Sequence, residues 1–213
     1  MKGNIIPCLK QLLLIAILIS ISCTKREWDN PFEKDHTVFT FIDNRDNQVY
    51  KAIHIGSQVW MAENLNYYVD NGSWAYDNNL SSTSIYGRLY DWQTACNVCP
   101  DGWHLPSDAE WATLTDYLGG ENIAGGEMKE TSTNHWQSPN TGANNNSGFA
   151  VLPGGNRNNY GIFVNMGYYT YFWSSTESYS DYAWTRLLYY NNIDVYHSYD
   201  LKALGFSVRC IKD

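Results

Sequence analysis

The chain has 213 residues, and 14 Lys and Arg against 22 Asp and Glu give it a formal net charge of −8. Nucleic-acid binding requires a basic footprint, so this acidic balance excludes that class of function. Charged residues make up only 17% of the chain and aromatic residues 15%, which predicts a core packed with Trp and Tyr. The surface polarity is then expected to come from neutral amides and hydroxyls.

The N-terminus has the features of an export signal. Lys2 and Lys10 supply positive charge without acids, and the apolar run over residues 12–21 is about half the roughly 20 residues that a membrane-spanning helix needs. The following ISISC resembles a bacterial lipobox, in which the peptide is cut before a cysteine that is then acylated. Residues 1–22 are therefore predicted to be a lipoprotein signal peptide. Secretion with a free Cys23 is the alternative.

Acylation of Cys23 would anchor the protein in a lipid bilayer, because several acyl chains hold a protein stably where one does not. The expected location is the cell envelope, as an outer-membrane lipoprotein that is periplasmic or surface-exposed. Loss of residues 1–22 removes two lysines and leaves 12 basic and 22 acidic residues on 191 residues, a net charge of about −10. That length suffices for one domain.

Residues 23–36 have mixed charges and no hydrophobic period, so they are predicted to be a tether, and residues 37–213 a single domain. At the start of the domain, the alternation in VFTFID and VYKAIHI and the turn residues NRDN predict two or three strands with tight turns. The segment YGRLYDWQTA predicts a short helix, with Leu89 and Trp92 three residues apart.

The clearest helix signal lies in the middle of the chain. Ser107 followed by Glu110 has the spacing of a capping box, and Trp111, Leu114 and Leu118 give a one-sided apolar stripe, which predicts a helix over residues 108–118. Residues 121–130 are expected to form a second short helix. Beyond them, short strand candidates alternate with turns: GFAVLP, GIFVN, YTYFWSS, AWTRLLYY, DVYHSY and GFSVRCIK. The short turns favour antiparallel pairing.

Three cysteines remain after Cys8 and Cys23 are set aside, and in an oxidising compartment they should pair where geometry allows. The CNVC motif has the spacing of a redox or zinc site. However, no second CxxC exists, and several residues separate this one from the next clear helix. The sequence therefore favours a long-range disulfide between the helix entry and the last strand, with one cysteine left over.

The motifs VWMAENLNY, YGRLYDWQTA, CPDGWHLPSDAEW, GFAVLPGGNR, FWSSTE and GFSVRC occur in this order. Together they resemble the Fibrobacter succinogenes major paralogous domain family of bacterial exported proteins, over about residues 37–213. A more distant resemblance links the chain to the C-type-lectin-like fold of the formylglycine-generating enzymes. These resemblances imply an α+β, C-type-lectin-like domain of short twisted antiparallel sheets, one or two helices and long loops. The family pattern has cysteines at Cys99 and Cys210, which implies that these two pair and that Cys96 is extra.

No sequence motif indicates catalysis, a cofactor or a metal site, so the chain is expected not to be an enzyme. The formylglycine-generating enzymes use a closely spaced cysteine pair near the chain end, and only Cys210 lies there in this chain. Glu177 in SSTE is a candidate for a polar pocket, although loop capping explains it as well. Oxygen ligands in the NRDN region suit calcium, and a hairpin turn explains them equally.

Three aromatic residues lie in neutral, polar loops, where burial is not indicated by any pattern: Trp74, Trp136 and Tyr168. Loops on a rigid scaffold concentrate binding residues, and Tyr and Trp offer large contact area at low entropic cost. The sequence therefore predicts a non-catalytic binding module that uses these three residues to contact a glycan or a partner protein. The alternatives are a structural subunit of a surface assembly, an enzyme on a formylglycine-enzyme-like scaffold, or aromatics that fold back into the core.

Overall fold

The computed structural model describes residues 36–213. The signal peptide, Cys23 and nearly all of the tether lie outside the described residues. Within residues 36–213, no helix is long and apolar enough to cross a membrane.

Thirteen strands are present in the described residues. They are β1 (Val38–Asp43), β2 (Gln48–Ile55), β3 (Gln58–Met61), β4 (Ser73–Trp74), β5 (Leu89–Tyr90), β6 (Trp103–His104), β7 (Asn156–Arg157), β8 (Phe163–Val164), β9 (Tyr169–Tyr179), β10 (Tyr182–Tyr189), β11 (Val195–Leu201), β12 (Phe206–Ser207) and β13 (Ile211–Lys212). The helices are α1 (Thr83–Tyr86), α2 (Trp92–Ala95), α3 (Asp108–Tyr117) and α4 (Glu121–Met128), with 3₁₀ turns at Tyr76–Asn78 and Leu80–Ser82.

The strands form a five-stranded sheet in the order β1-β2-β3-β13-β6, a six-stranded sheet in the order β11-β10-β9-β12-β5-β4, and the small pair β7-β8. This mixture of sheets and short helices confirms the α+β class, and the lectin-like topology stays a prediction. Pairing is antiparallel with one exception among the named strands, since β12 runs parallel to β9. The exception arises because the chain returns after β11 and inserts β12 between β9 and β5.

Two elements differ from the sequence-based expectations. The segment YGRLYDWQTA is not one helix, because Tyr86 ends α1 and Leu89 pairs with Ser207 in the sheet. A new helix, α2, begins after Asp91, whose side chain accepts a hydrogen bond from the Thr94 amide. The segment GFAVLP contributes only an isolated bridge between Val151 and Lys129. Four helices are present where one or two were expected, and two of them are single turns of four residues.

The capping box of α3 is confirmed. The Ser107 hydroxyl accepts a hydrogen bond from the Glu110 amide at 3.3 Å, and the Glu110 carboxylate accepts one from the Ser107 amide at 2.7 Å. Trp111 and Leu114 are fully buried, so the stripe seen in the sequence does face the core. The helix packs against the six-stranded sheet, where the indole of Trp111 donates to the carbonyl of Trp173.

Buried aromatic residues form two cores. The first lies under α3 and α4 and includes Trp60, Trp111 and Phe149, whose rings contact one another at centroid distances of 4.8 to 6.0 Å. The second lies around Trp173 and Phe206, whose rings are 4.5 Å apart. Each ring of this size buries a large apolar area, so these two cores contribute strongly to the stability of a fold with such short strands.

The disulfide between Cys99 and Cys210 is present, with Cα atoms 6.0 Å apart. It links the segment before β6 to the last part of the chain. Cys96 is a free, half-buried thiol, and burial raises its pKa to about 11. A thiol with so high a pKa is almost wholly protonated at neutral pH, which makes it a poor nucleophile.

Candidate functional site

A concave aromatic surface lies where β9 begins and β10 ends. It is a solvent-open depression of about 360 Å³ lined by Tyr169, Tyr189, Tyr190, Asn191, Asn192 and Tyr196. We call it the tyrosine cleft. Ligand sites are typically concave and combine aromatic side chains with a few polar groups that fix orientation, and this cleft has that composition.

Strand alternation and register build the cleft. Tyr169 of β9 pairs directly with Tyr189 of β10, so both side chains project on one face of the sheet. Tyr196 of β11 pairs with Leu187, two residues before Tyr189, and therefore projects on the same face. The Tyr189 ring stands edge-on to both neighbours, at centroid distances of 4.6 Å from Tyr169 and 5.1 Å from Tyr196. These contacts hold the three rings upright and leave part of their surface to solvent.

The turn from β10 to β11 forms the other wall, and a buried cation supports it. The ammonium group of Lys129 donates to the carbonyl oxygens of Tyr189 at 3.1 Å, Asn192 at 2.8 Å and Thr141 at 3.1 Å. The Lys129 side chain is fully buried, and burial lowers its pKa to about 8. The backbone at Thr141, Tyr189 and Asn192 is thereby linked to the Nζ atom of Lys129.

Helix α4 also contacts this turn closely. The amide of Gly126 donates to the carbonyl of Ile193, and a Cβ atom added at Gly125 would lie 2.6 Å from the carbonyl oxygen of Asp194. Only glycine permits this approach of helix and turn. The turn that carries Asn191 and Asn192 is therefore held by packing as well as by the Lys129 hydrogen bonds, which makes the cleft a preformed feature.

The polar groups of the cleft are uncharged. The Asn192 side chain donates to the Tyr196 hydroxyl at 2.9 Å, and that hydroxyl donates to the Asp194 carboxylate at 3.2 Å. Burial and neighbouring groups raise the pKa of Tyr189, and slight burial together with the Asp194 hydrogen bond raises the pKa of Tyr196. Both phenols therefore stay protonated at neutral pH. The site offers ring faces, O–H groups and amides, which suit a neutral, hydroxyl-rich ligand.

The three aromatic residues singled out in the sequence do not form one surface. Tyr168 is 44% exposed and its ring lies edge-on to Tyr190 at 5.4 Å, which places it at the margin of the tyrosine cleft. Trp74 is half-buried, because the guanidinium of Arg157 covers its ring at 4.1 Å and Gly205 packs against its edge.

The assignment of Trp136 to a contact surface is wrong. The side chain is 1% exposed, lies in the first core, and donates its indole N–H to the carbonyl of Val151 at 2.9 Å. The polar loop around it folds over the core rather than away from it. Its polar groups find local partners, as where the Asn140 amide donates to the carbonyls of Glu130 and Ser132.

The sequence interpretation missed the residues that line the cleft. One tyrosine pair lies at the start of β9, as YY at 168–169, and another lies at the end of β10, as YYNN at 189–192. Read with period two, this pattern places one tyrosine of each pair on the same sheet face. The register between the strands, which the sequence does not display, is needed to bring them together.

Other candidate groups have structural partners. Glu177 accepts a hydrogen bond from the Lys202 ammonium at 2.7 Å at an exposed site. Asp43 is buried and receives two hydrogen bonds from the guanidinium of Arg45, which holds the hairpin turn. Burial raises the pKa of Asp43, but the hydrogen bonds from Arg45 outweigh it and the pKa is lowered. Within residues 36–213, no group of three His, Cys, Asp or Glu side chains could hold a metal ion.

Comparison with known proteins gives a family match. The family model described as the Fibrobacter succinogenes major domain matches residues 53–212, which is most of the chain. No curated protein and no solved structure matches significantly.

Proposed function

From the membership of this chain in the Fibrobacter succinogenes major domain family and from the tyrosine cleft, we propose that the protein is a non-catalytic binding module for a neutral saccharide. The observation that carries the proposal is the cleft, in which three upright phenol rings meet two side-chain amides on a rigid support. Aromatic rings pack against the apolar faces of sugars, while amides and phenols exchange hydrogen bonds with sugar hydroxyls.

Binding rather than catalysis is supported by the chemistry of these groups. The phenols of Tyr189 and Tyr196 have raised pKa values, so neither supplies a base or a nucleophile at neutral pH. The Cys96 thiol is likewise protonated. Neither these two phenols nor this thiol therefore serves as a base at neutral pH.

The second part of the proposal concerns location. We propose that acylated Cys23 anchors the protein to a bilayer of the cell envelope, most simply the outer membrane, on the basis of the positive N-terminus, the short apolar run and ISISC. The domain would then present the cleft at the end of the tether over residues 23–36. Replacing Cys23 with Ala should move the protein from the membrane fraction to the soluble fraction. Failure of labelled palmitate to enter the wild-type chain would refute the anchor.

The binding proposal is tested on a glycan array with residues 24–213, followed by calorimetry with the best neutral saccharide. Tyr196→Ala should weaken binding about tenfold or more, because it removes one wall of the cleft. Its unfolding midpoint should stay close to that of the wild type, since Tyr196 is 41% exposed.

The matched control is Tyr179→Ala. Tyr179 belongs to the same sheet, is also exposed, and does not line the cleft. It should leave saccharide affinity unchanged. If no neutral saccharide binds, or if both variants weaken binding equally, the cleft is not the binding site.

A further inference from the structure

Arg88 differs from the other buried cations of the domain. Its residue is only 9% exposed, yet within residues 36–213 its guanidinium forms no ion pair, and its Nε–H is buried without a hydrogen-bond acceptor. Buried Arg186 also has an Nε–H without an acceptor, but its Nη1 meets the Asp108 carboxylate at 2.7 Å. Buried Arg209 and Lys129 donate to backbone carbonyls.

Hydrogen bonds and close packing hold the backbone around Arg88. The Arg88 amide donates to the carbonyl of Leu65 at 2.9 Å, and the next residue, Leu89, is paired in the sheet with Trp74. Gly87 has a φ of 71°, and a Cβ atom there would lie 2.7 Å from the carbonyl oxygen of Leu65. This close approach of the two segments fixes the position of the Arg88 backbone.

Among residues 36–213, the aromatic partner of Arg88 is exposed. The Tyr68 ring lies 4.9 Å below the guanidinium carbon, and Tyr68 is 57% exposed. A hydrogen bond with Asp70 raises the pKa of the Tyr68 phenol, so the Asp70 carboxylate lies near the phenol but not within 4.0 Å of a guanidinium nitrogen. Within residues 36–213, stacking on this ring leaves the buried Nε–H of the guanidinium without an acceptor.

An unpaired, largely buried charge destabilises a fold, and a guanidinium fork matches a carboxylate in shape and charge. We propose that Arg88, stacked on Tyr68, binds the carboxylate group of an anionic ligand. This site shares no residue with the tyrosine cleft. It binds an anionic ligand, whereas the cleft binds a neutral one. Because the chain is acidic overall, attraction of an anion has to be local, and an uncompensated arginine supplies it.

The test uses the full chain, purified in detergent and labelled with ¹⁵N-arginine, so that each Arg Nε–H gives one NMR signal. The probes are sodium glucuronate, N-acetylglutamate, inorganic phosphate and glucose, added at constant ionic strength. Both carboxylates should shift the Arg88 signal in a saturable way, and glucose should not. A response to glucuronate alone would identify a sugar acid as the source, and a response to N-acetylglutamate alone an acidic peptide.

Arg157 provides the internal control, because it is also stacked on an aromatic ring, at 4.1 Å from the centre of Trp74. Its signal should not move. Arg88→Lys keeps the charge but loses the fork, and it should weaken carboxylate binding roughly tenfold or more. Arg88→Met should abolish binding while leaving the ligand-free unfolding midpoint equal to or above that of the wild type.

Four results would overturn the proposal: no saturable shift of the Arg88 signal with either carboxylate, a response to phosphate only, an equal shift of Arg157, or a lower midpoint in Arg88→Met that Arg88→Lys restores. The last would show that Arg88 is a structural residue. Asp70→Asn adds a further check, because it should leave carboxylate binding unchanged or tighter. If Asp70→Asn instead changes the unfolding midpoint in the same way as Arg88→Met, the side chains of Arg88 and Asp70 pair in solution.

Discussion

The ammonium nitrogen of Lys129 lies 2.8 Å from the carbonyl oxygen of Asn192, so a buried cation at the end of α4 holds the turn that walls the tyrosine cleft. The same nitrogen reaches Tyr189 at the end of β10 and Thr141 in the preceding loop. Backbone carbonyls are the only hydrogen-bond acceptors that the described residues provide for it. The conformation of the turn therefore depends on the Lys129 ammonium group, and the buried ammonium group depends on the carbonyl oxygens that this conformation presents.

Replacing Lys129 with Met should lower the free energy of unfolding by roughly 2–4 kcal/mol, because three partly buried carbonyl oxygens lose their donor. Urea denaturation measures this loss. Lys212→Met, at an exposed lysine, is the control and should change stability little. Stability equal to that of the wild type in Lys129→Met would mean that water replaces the ammonium and that the turn does not need it.

Lys129 also predicts a pH dependence. Burial lowers its pKa to about 8 from an ordinary value of 10.5, so between these two pH values the unfolded chain binds more protons than the folded one. Stability should therefore rise with pH in this window, and Lys129→Met should remove the rise. Urea midpoints at about pH 8 and pH 9.5 measure it. Above about pH 10 the trend should reverse, because burial raises the pKa of Tyr90 and only the unfolded chain loses that proton.

His104 should contribute a second, opposite pH effect. Burial lowers its pKa, but hydrogen bonds to Asp213 at 2.6 Å and Glu110 at 2.9 Å outweigh burial and raise it above 6.5. The stabilisation is fully present below pH 6.5, where the unfolded imidazole is also protonated, and it is lost as pH rises through the folded pKa. His104→Gln should therefore cost stability at acidic pH and little at alkaline pH, as measured by thermal unfolding. An equal loss at both extremes would contradict the ionic contribution.

Local patterns in the sequence predicted α3 well, because a capping box and an apolar stripe act within one helix. The tyrosine cleft could not be predicted in this way. It depends on the register that pairs Tyr169 with Tyr189, and on the packing of α4 against the turn that follows β10. The family resemblance supplied the Cys99–Cys210 pair, whereas the residues alone left the third cysteine unassigned.

Trp136 shows the limit of judging burial from neighbouring residues. Its flanks are polar, yet the ring fills the first core, so Trp136→Ala should lower the free energy of unfolding by about 3–5 kcal/mol. Tyr168→Ala, at the exposed margin of the cleft, should cost within about 1 kcal/mol. Urea unfolding of both variants measures the contrast. Equal stability of the two variants would place Trp136 at the surface, as the sequence interpretation had it.

The disulfide joins residues that are 111 positions apart, so it restricts the unfolded chain over more than half of its length. In the chain-entropy model, a loop of that size contributes roughly 4–5 kcal/mol, and the double variant Cys99→Ala/Cys210→Ala should lose up to that amount. Urea denaturation with and without reductant measures it, since the wild type should lose stability on reduction and the double variant should not. Cys96→Ala is the control and should behave like the wild type. Non-reducing peptide mapping that found Cys96 joined to Cys99 would contradict this account, because that short loop restricts the unfolded chain far less and leaves the last strand untethered.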